Sequence, residues 1–354
     1  MTQIPPLARI LIMGAGAVGG YFGASLTRAG CDVTLVDAWA PHVEAMRRDG
    51  LTVRAMEAEG SFTTPVRALH ISDVPQLVRE APFDVVFLAV KSYDTDWATA
   101  LVLPFLAGQG CIVSLQNGIN EEAIAAIAGW GRTLGCAIGL LAAELTGPGQ
   151  VLRTSRRGSA TAIGMRIGEV HGRITPRAEA IGALLAHADS VRVTTNLWGE
   201  RWSKLTINAM RNPVSAMTGL SGQERDRDDA VRALSIRLGS QCVRVGRAMG
   251  LALEPISGLD LDLLAQAEED AAALATVTQQ ILAHSAARSA DQRPSMGQDV
   301  RKGRRTETEA ISGLVARRGA EVGVDASLHA RVNEIMRRIE RGQLQPGRDL
   351  VLGL

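Results

Sequence analysis

The sequence lacks the residue patterns that mark disulfide-stabilised, metal-binding and nucleic-acid-binding proteins. Its four cysteines form no Cys-x-x-Cys pair, and we expect them to be reduced because a chain of 354 residues does not need disulfides to fold. None of its six histidines forms a His-x-His or His-x-x-x-His pair, so no metal site is predicted. With 38 basic and 37 acidic residues, the net charge of +1 argues against nucleic acid and anionic membranes as partners.

The sequence also lacks a segment that predicts a membrane span or a secretory signal. The most apolar long stretch, residues 123–143, contains Arg132 and several glycines. The opening residues MTQIPP do not show the charged, then apolar, then small layout of a signal peptide. Hydrophobic residues make up 46% and charged residues 21% of the chain, a balance typical of sizeable cores. We therefore expect a soluble, globular, cytoplasmic protein, and the length favours two domains.

The pattern along the chain predicts an α/β domain over residues 1–197 and an all-helical domain over residues 198–354. Short apolar runs alternate with helical segments in the first part, which is typical of a parallel sheet covered by helices. The predicted strands are Ile10–Met13, Val33–Val36, Val85–Val90, Ile112–Leu115 and Ala160–Ile167, and the predicted helices are Val18–Ala29, Pro41–Arg48, Glu121–Ala128 and Pro176–His187. The charged run 224–229 predicts a solvated loop or helix start, and the tail after Gly342 a loosely ordered end.

A glycine loop follows the first predicted strand and opens a helix. Its residues are Gly14, Ala15, Gly16, Ala17, Val18 and Gly19, and Asp37 ends the next strand 18 residues beyond Gly19. This order of strand, loop, helix, strand and acid predicts a Rossmann-type dinucleotide site, with the diphosphate on the helix N-terminus. A carboxylate at Asp37 binds a ribose diol and repels a 2′-phosphate, which favours NAD over NADP. The alternative is a plain tight turn, with Asp37 capping the helix near Pro41.

A polar stripe in the helical part carries the candidate chemistry. Lys204, Asn208 and Asn212 are spaced by four, which brings their side chains within about 40° of one helix face. Burying an amine and two amides without partners is costly, so the stripe faces either solvent or a polar ligand. Pro213 is expected to strain or end the helix there.

Two further groups of residues are candidates for the site. Ser295 is followed by Gln298 in a capping-box spacing, and Glu307 also suits the first turn of a helix. If one helix joined Ser295 to Glu307 they would lie about 18 Å apart, so a bend at Gly297 or Gly303 is needed for both to serve one site. Lys91 and Asn117 follow predicted strands at their carboxyl ends, where ligands bind in open α/β sheets, although a surface lysine and an Asn-Gly turn are ordinary too.

These motifs together resemble the ketopantoate reductase family over most of the chain, from Arg9 to about Gly323. The resemblance implies a helical second domain of the 6-phosphogluconate dehydrogenase C-terminal kind. It implies Lys204 as the general acid and Glu307 as a group that holds a substrate hydroxyl or orients that lysine. Asn208, Asn212 and Ser295 would then bind substrate, and Lys91 and Asn117 would lie near the nicotinamide end of the cofactor.

The resemblance implies 2-dehydropantoate 2-reductase activity, in pantothenate biosynthesis, and a homodimer. The sequence departs from the family pattern at two positions. Family members typically prefer NADPH and carry a basic residue just after the second strand, whereas here Ala38 follows Asp37, so we expect NAD with NADP possible. Gln241 stands where relatives commonly have Glu. The alternatives are an NAD-dependent dehydrogenase of another secondary alcohol, ketone or imine on this fold, and a dinucleotide-sensing protein without turnover.

Overall fold

The computed structural model describes residues 8–286 and 292–354, and the chain divides into two compact units at Leu197 and Trp198. The unit that ends at Leu197 is α/β, and the other is helical. The four cysteines are free, and burial raises the pKa of the Cys111 and Cys242 thiols to about 12. Over the described residues there is no helix long and apolar enough to cross a membrane, and no group of three or more His, Cys, Asp or Glu placed to hold a metal ion.

An eight-stranded sheet forms the centre of the first unit, in the order β12-β11-β8-β7-β6-β1-β2-β5. Its neighbouring strands pair in parallel except β8 and β11. The strands of the unit are β1 Arg9–Met13, β2 Asp32–Asp37, β3 Leu51–Arg54, β4 Phe62–Thr64, β5 Arg67–His70, β6 Phe83–Leu88, β7 Leu106–Ser114, β8 Thr133–Ile138, β9 Ala143–Gly147, β10 Gln150–Arg153, β11 Met165–Glu169 and β12 Val191–Val193.

Helices cover the large sheet, and its central strands are apolar on both faces for that reason. In β1, Ile10 and Ile12 belong to one hydrophobic cluster, whereas Leu11 and Met13 belong to another. The α-helices of this unit are α1 Ala17–Arg28, α2 Ala40–Asp49, α3 Thr95–Val102, α4 Glu121–Ala128 and α5 Pro176–Ala186. Short 3-10 helices span Ala58–Gly60, Ile71–Arg79, Ser92–Asp94, Leu103–Phe105 and Trp130–Arg132.

A second, four-stranded sheet with the order β4-β3-β10-β9 lies in the same unit. Strand β3 pairs in parallel with β10, so that Thr52 lies opposite Gln150 in the register. The sequence pattern did not predict this sheet, because its strands are short and its central pairing joins segments about a hundred residues apart.

The second unit is built from helices around a core that includes Ile207, Met210, Ile236, Val243 and Leu264. Its α-helices are α6 Leu197–Thr218, which begins one residue before the unit boundary, α7 Gly222–Arg227, α8 Asp229–Ala248, α9 Leu261–Gln266, α10 Ala271–Ala286, α11 Ser295–Arg301, α12 Ser312–Glu321 and α13 Ser327–Glu340, with 3-10 helices at Thr308–Ala310 and Arg348–Val351.

Several local predictions were wrong. The strand predicted over Ala160–Ile167 begins only at Met165. The charged run does fall in the short helix α7 and at the start of α8, but it is not all solvated, because Arg225 and Asp226 form a buried ion pair. The tail after Gly342 is ordered, since Gly347 N–H donates to the carbonyl of Met217 at 2.9 Å.

Helix α6 continues through Pro213 instead of ending there. Proline removes one backbone donor, but the helix is buried on both sides of it, as the positions of Met210, Val214 and Met217 show. The side chain of Arg225 also donates to the carbonyl of Arg211, at 3.4 Å, and to Ser215 Oγ, at 3.2 Å. Tertiary packing therefore outweighs the local cost of the proline.

Candidate active site

The carboxyl ends of neighbouring parallel strands bring the predicted cofactor residues of the first unit to one edge of its sheet. The glycine loop follows β1, Asp37 ends β2, and the loops that carry Lys91 and Asn117 follow β6 and β7. The chain places β2 on one side of β1 and β6 on the other, which makes this edge a topological switch point. Ligands of open α/β sheets bind at such a point.

The glycine loop has the geometry that its sequence predicts. Gly14 adopts φ +93°, and a Cβ there would lie 2.8 Å from Val90 N. A Cβ on Gly19 would lie 1.9 Å from the carbonyl oxygen of Gly14, whereas one on Gly16 would meet nothing within 4 Å. The first intrahelical bond of α1 is donated by Gly20 to Gly16 at 2.8 Å, so the preceding N–H groups at this helix start are available to an anion. These residues fit a dinucleotide diphosphate.

Asp37 binds the glycine loop directly. Its Oδ2 accepts the N–H of Ala15 at 2.8 Å, and its Oδ1 accepts the N–H of Trp39 at 2.9 Å. The N-cap of α2 is Trp39, without a side-chain cap, so Asp37 is not the cap of that helix. Ala15 thus gives its N–H to Asp37, and its role in binding the cofactor stays a prediction.

The Lys91 and Asn117 loops are tied to each other. Gln116 Nε2 donates to the carbonyl of Val90 at 3.0 Å, and Ser92 Oγ donates to the carbonyl of Asn117 at 3.1 Å. The strand predicted over Val85–Val90 stops at Leu88, and Lys91 follows it just before the 3-10 helix Ser92–Asp94. Both residues are half-buried. Their loops form one connected rim at the carboxyl end of β6 and β7.

In the second unit, the polar stripe lies on the side of α6 that points away from α8. Trp202 is fully buried and donates its indole N–H to the carbonyl of Cys242 in α8 at 2.8 Å. Two residues along a helix correspond to a rotation of about 200°, so Lys204 projects opposite to Trp202. The bond between Trp202 and Cys242 therefore holds α6 against α8 on the helix face opposite Lys204 and limits how α6 can rotate.

The stripe is not a solvated face. Asn208 and Asn212 are 5% and 7% exposed, and Lys204 is half-buried. Buried amides are retained only where they find hydrogen-bond partners, and they recognise polar ligands by the same groups. Other polar side chains of this helix are buried as well, among them Glu200, Arg201 and Arg211.

Ser295 does not form the predicted capping box. It is the first residue of α11, whose N-cap is Pro294, and Gln298 Nε2 donates instead to the carbonyl of Arg293 at 3.0 Å. Because the N-cap is Pro294 and Ser295 lies one position inside the helix, the hydroxyl of Ser295 does not cap α11. Helix α11 lies beside the end of α6, since a Cβ on Gly297 would be 3.9 Å from Ser215.

The bend needed before Glu307 is present at Gly303, which has φ +63°. Glu307 is 5% exposed and precedes the 3-10 helix Thr308–Ala310. The residues on either side of Glu307 are bound by α13: Thr306 N–H donates to Glu340 Oε1 at 2.7 Å, and Thr308 Oγ1 donates to Asn333 Oδ1 at 2.8 Å. Neither Glu307 nor Lys204 lies on an exterior, and their joint role stays a prediction.

Sequence reasoning missed the residues that hold these groups in place. Asn333 and Glu340 carry the Glu307 segment, and His42 contacts the glycine loop. An amphipathic helix pattern was the only signal for the two residues of α13, and it does not separate a supporting residue from a solvated one.

A cavity of about 330 Å³ lies at the far end of α1, away from the glycine loop. Arg153 in its wall is buried, and its guanidinium donates hydrogen bonds to Tyr21 Oη, to the carboxylate of Asp189 and to the carbonyls of Ser155 and Arg156. We assign this cluster to packing of α1 against the small sheet.

Two family models account for most of the chain. One, described as "Ketopantoate reductase PanE/ApbA", matches residues 10–166, and its C-terminal counterpart matches residues 196–340. The chain belongs to the ketopantoate reductase family. Membership confirms the predicted fold class, a Rossmann-type unit followed by a helical unit, and places the protein in a family of oxidoreductases.

Known relatives match over nearly their whole length. A 2-dehydropantoate 2-reductase from Archaeoglobus fulgidus is 26% identical over 335 residues, which cover 94% of this chain and 98% of that protein. A PanE/ApbA family ketopantoate reductase from Ralstonia eutropha JMP134 has a TM-score of 0.75 at 29% identity, covering 95% and 99% of the two chains. A D-mandelate dehydrogenase solved with NADH and anilino(oxo)acetate has a TM-score of 0.77 at 20% identity, covering 95% and 99%, and shows a shared fold.

Proposed function

We propose that this member of the family is an NAD-linked oxidoreductase that transfers a hydride between a nicotinamide cofactor and C2 of a small 2-oxo or 2-hydroxy acid, most simply ketopantoate and pantoate. The observation that carries the proposal is the stripe of Lys204, Asn208 and Asn212, with both amides buried and the lysine set opposite an anchored tryptophan. Family membership supports the same reaction class and a homodimeric assembly.

The glycine loop would hold the diphosphate of the cofactor through the amides of Gly16, Ala17, Val18 and Gly19. Asp37 would accept the ribose hydroxyls with the oxygen lone pairs that Ala15 and Trp39 do not use. Lys91 and Asn117 would border the nicotinamide end. The acid at position 37 supports NAD over NADP, because a carboxylate repels a 2′-phosphate.

Lys204 would act as the general acid in the direction of reduction. When bound, the reduced cofactor supplies the hydride that C2 receives. The ketone oxygen gains negative charge as that bond forms, and the ammonium group of Lys204 stabilises the charge and transfers a proton to the oxygen. In oxidation, the neutral amine would take the hydroxyl proton while C2 loses its hydride.

The remaining residues would fix the substrate. Asn208 and Asn212 offer both donors and acceptors to a hydroxyl or a carboxylate, and the hydroxyl of Ser295, free of a capping role, would bind the carboxylate. Glu307 would hold a second hydroxyl or orient Lys204. Correct orientation of a ketone beside the acid contributes to rate even where it adds little affinity.

The proposal is tested by steady-state assays of ketopantoate with NADH and NADPH in parallel, and of a panel of other 2-oxo acids in both directions. We expect reduction of ketopantoate with a higher kcat/KM for NADH. Turnover of a different 2-oxo acid alone would replace the substrate, and tight NADH binding without turnover of any member of the panel would contradict an enzymatic role.

Lys204→Ala should lower kcat by about 10²- to 10⁴-fold, the usual range for a general acid, and should leave cofactor affinity nearly unchanged. Lys302→Ala is the matched control, because it removes an exposed lysine from the same unit. Equal kcat in Lys204→Ala and the parent protein would remove the role that we assign to this lysine.

A further inference from the structure

We propose that His42 is a positioning residue for the dinucleotide-binding loop, and that it fixes the backbone of Ala15 against the turn at Gly149. The inference rests on the proposed function, since it concerns how the same cofactor site is held. His42 lies on α2, outside the glycine loop, and it carries no recognisable motif. Its side chain is fully buried.

The hydrogen bonds of His42 determine its tautomer. The N–H of Gly149 donates to Nδ1 at 2.8 Å, so Nδ1 must present a lone pair. A neutral imidazole then carries its proton on Nε2, which lies 2.9 Å from the carbonyl oxygen of Ala15 and donates to it. Neutral His42 with the proton on Nε2 satisfies both neighbours at once, whereas the other tautomer satisfies neither.

Ala15 is consequently held at both of its backbone groups. Its N–H is bound by Asp37 at 2.8 Å and its carbonyl by His42 at 2.9 Å, while the preceding N–H, of Gly14, donates to Val36 at 2.8 Å. These three bonds fix the peptide planes just before the helix start. The amides from Gly16 onward are then aimed in one direction, as diphosphate binding requires.

Trp39 shields this arrangement from water. Its ring stacks on that of His42, with centroids 5.7 Å apart and an interplanar angle of 21°, and it is 37% exposed on its outer side. A hydrogen bond that water cannot reach is not readily exchanged for one to solvent, and losing one partner leaves the other buried and unsatisfied. The loop is therefore held in place before any cofactor arrives.

Two conservative variants separate the two bonds of His42. In His42→Gln, the side-chain amide reaches the position of Nε2 and keeps a donor for Ala15; in His42→Asn, the shorter amide reaches only the position of Nδ1 and keeps an acceptor for Gly149. The measurement is the Kd of NADH, by fluorescence titration of the full chain, together with kcat at saturating NADH and the Tm.

We expect His42→Asn to raise the Kd of NADH about 10-fold while kcat at saturating NADH changes by less than about 2-fold, because one hydrogen bond that orients the loop is lost. His42→Gln should bind NADH within about 3-fold of the parent protein, since its amide retains the bond to Ala15. Val43→Ala is the matched control: it removes buried atoms from the same helix, but valine has no side-chain hydrogen bond to lose.

A merely structural role gives a different result. If His42→Asn and Val43→Ala raised the Kd of NADH equally at equal loss of Tm, or if His42→Asn left the Kd unchanged, the positioning role would be overturned and the proposed function would stand. A parent protein that does not bind NADH would instead overturn the proposed function and this inference with it.

Discussion

At Asp37 one carboxylate has two tasks. It holds the glycine loop through the N–H of Ala15, and it is the proposed partner of the ribose hydroxyls. A substitution that changes size as well as charge would disturb both. Asparagine removes the negative charge and keeps an oxygen for Ala15, and it gives up the acceptor for the N–H of Trp39.

Asp37→Asn should therefore reduce the preference for NADH over NADPH by about 10-fold or more, because the repulsion of a 2′-phosphate is removed while the loop keeps its bond. The measurement is the ratio of the two kcat/KM values, with Tm as the check on folding. Asp32→Asn, at the exposed start of the same strand, is the control. An unchanged ratio would show that Asp37 does not discriminate between a 2′-hydroxyl and a 2′-phosphate on the ribose.

At the scale of elements, two glycines of α8 allow α6 to approach. A Cβ on Gly246 would lie 2.4 Å from the indole ring of Trp202, and one on Gly239 would lie 2.6 Å from Met210 Sδ. The indole is rigid and hydrogen-bonded, whereas a methionine side chain can move aside. We therefore expect Gly239 to tolerate an added Cβ better than Gly246, although both glycines lie on α8.

Gly246→Ala should destabilise the protein by about 1–3 kcal/mol through overpacking, and Gly239→Ala by less. Gly246→Ala should also lower kcat, because Trp202 sets the direction of Lys204 two residues later. Thermal unfolding and steady-state rates of the two variants provide the measurement. A larger loss in Gly239→Ala would mean that Trp202 does not limit the approach of the helices.

Elements were predictable where their signal is local. Gly14 lies between a strand and a helix and Gly19 in the first turn of that helix, and their spacing alone indicates their role. Pro213 was misjudged because burial along α6 outweighs the local preference. The Gln298 spacing suggested a cap that Pro294 displaces. His42 could not be found from sequence, because its partner Gly149 is 107 residues away.

At the scale of the whole molecule, stability should depend on pH through His329. This side chain is buried, and desolvation lowers the pKa of its imidazole from 6.5 to about 4. The folded protein keeps it neutral, donating from Nε2 to the carbonyl of Leu238 at 2.9 Å. As pH falls from 6.5 toward 4, the unfolded chain takes up a proton that the folded chain does not, so stability is lost in that window.

His329→Gln should flatten this dependence, because glutamine can keep a donor for Leu238 but does not titrate. The parent protein should lose about 3 kcal/mol more than the variant between pH 6.5 and 4. The Tm of both proteins across this range gives the measurement, and His171→Gln, at a partly exposed site, is the control. Parallel pH profiles for the parent and His329→Gln would contradict the assignment.

The bond between Gly149 and His42 has a consequence for synthesis. A growing chain on the ribosome contains the glycine loop and Asp37 long before Gly149, whose N–H binds His42, has been added. A polypeptide that ends before Gly149 contains the glycine loop and Asp37, but it lacks the backbone N–H that selects the tautomer of His42. The support of the glycine loop is therefore completed only once residue 149 of 354 has been made, more than a hundred residues after Asp37.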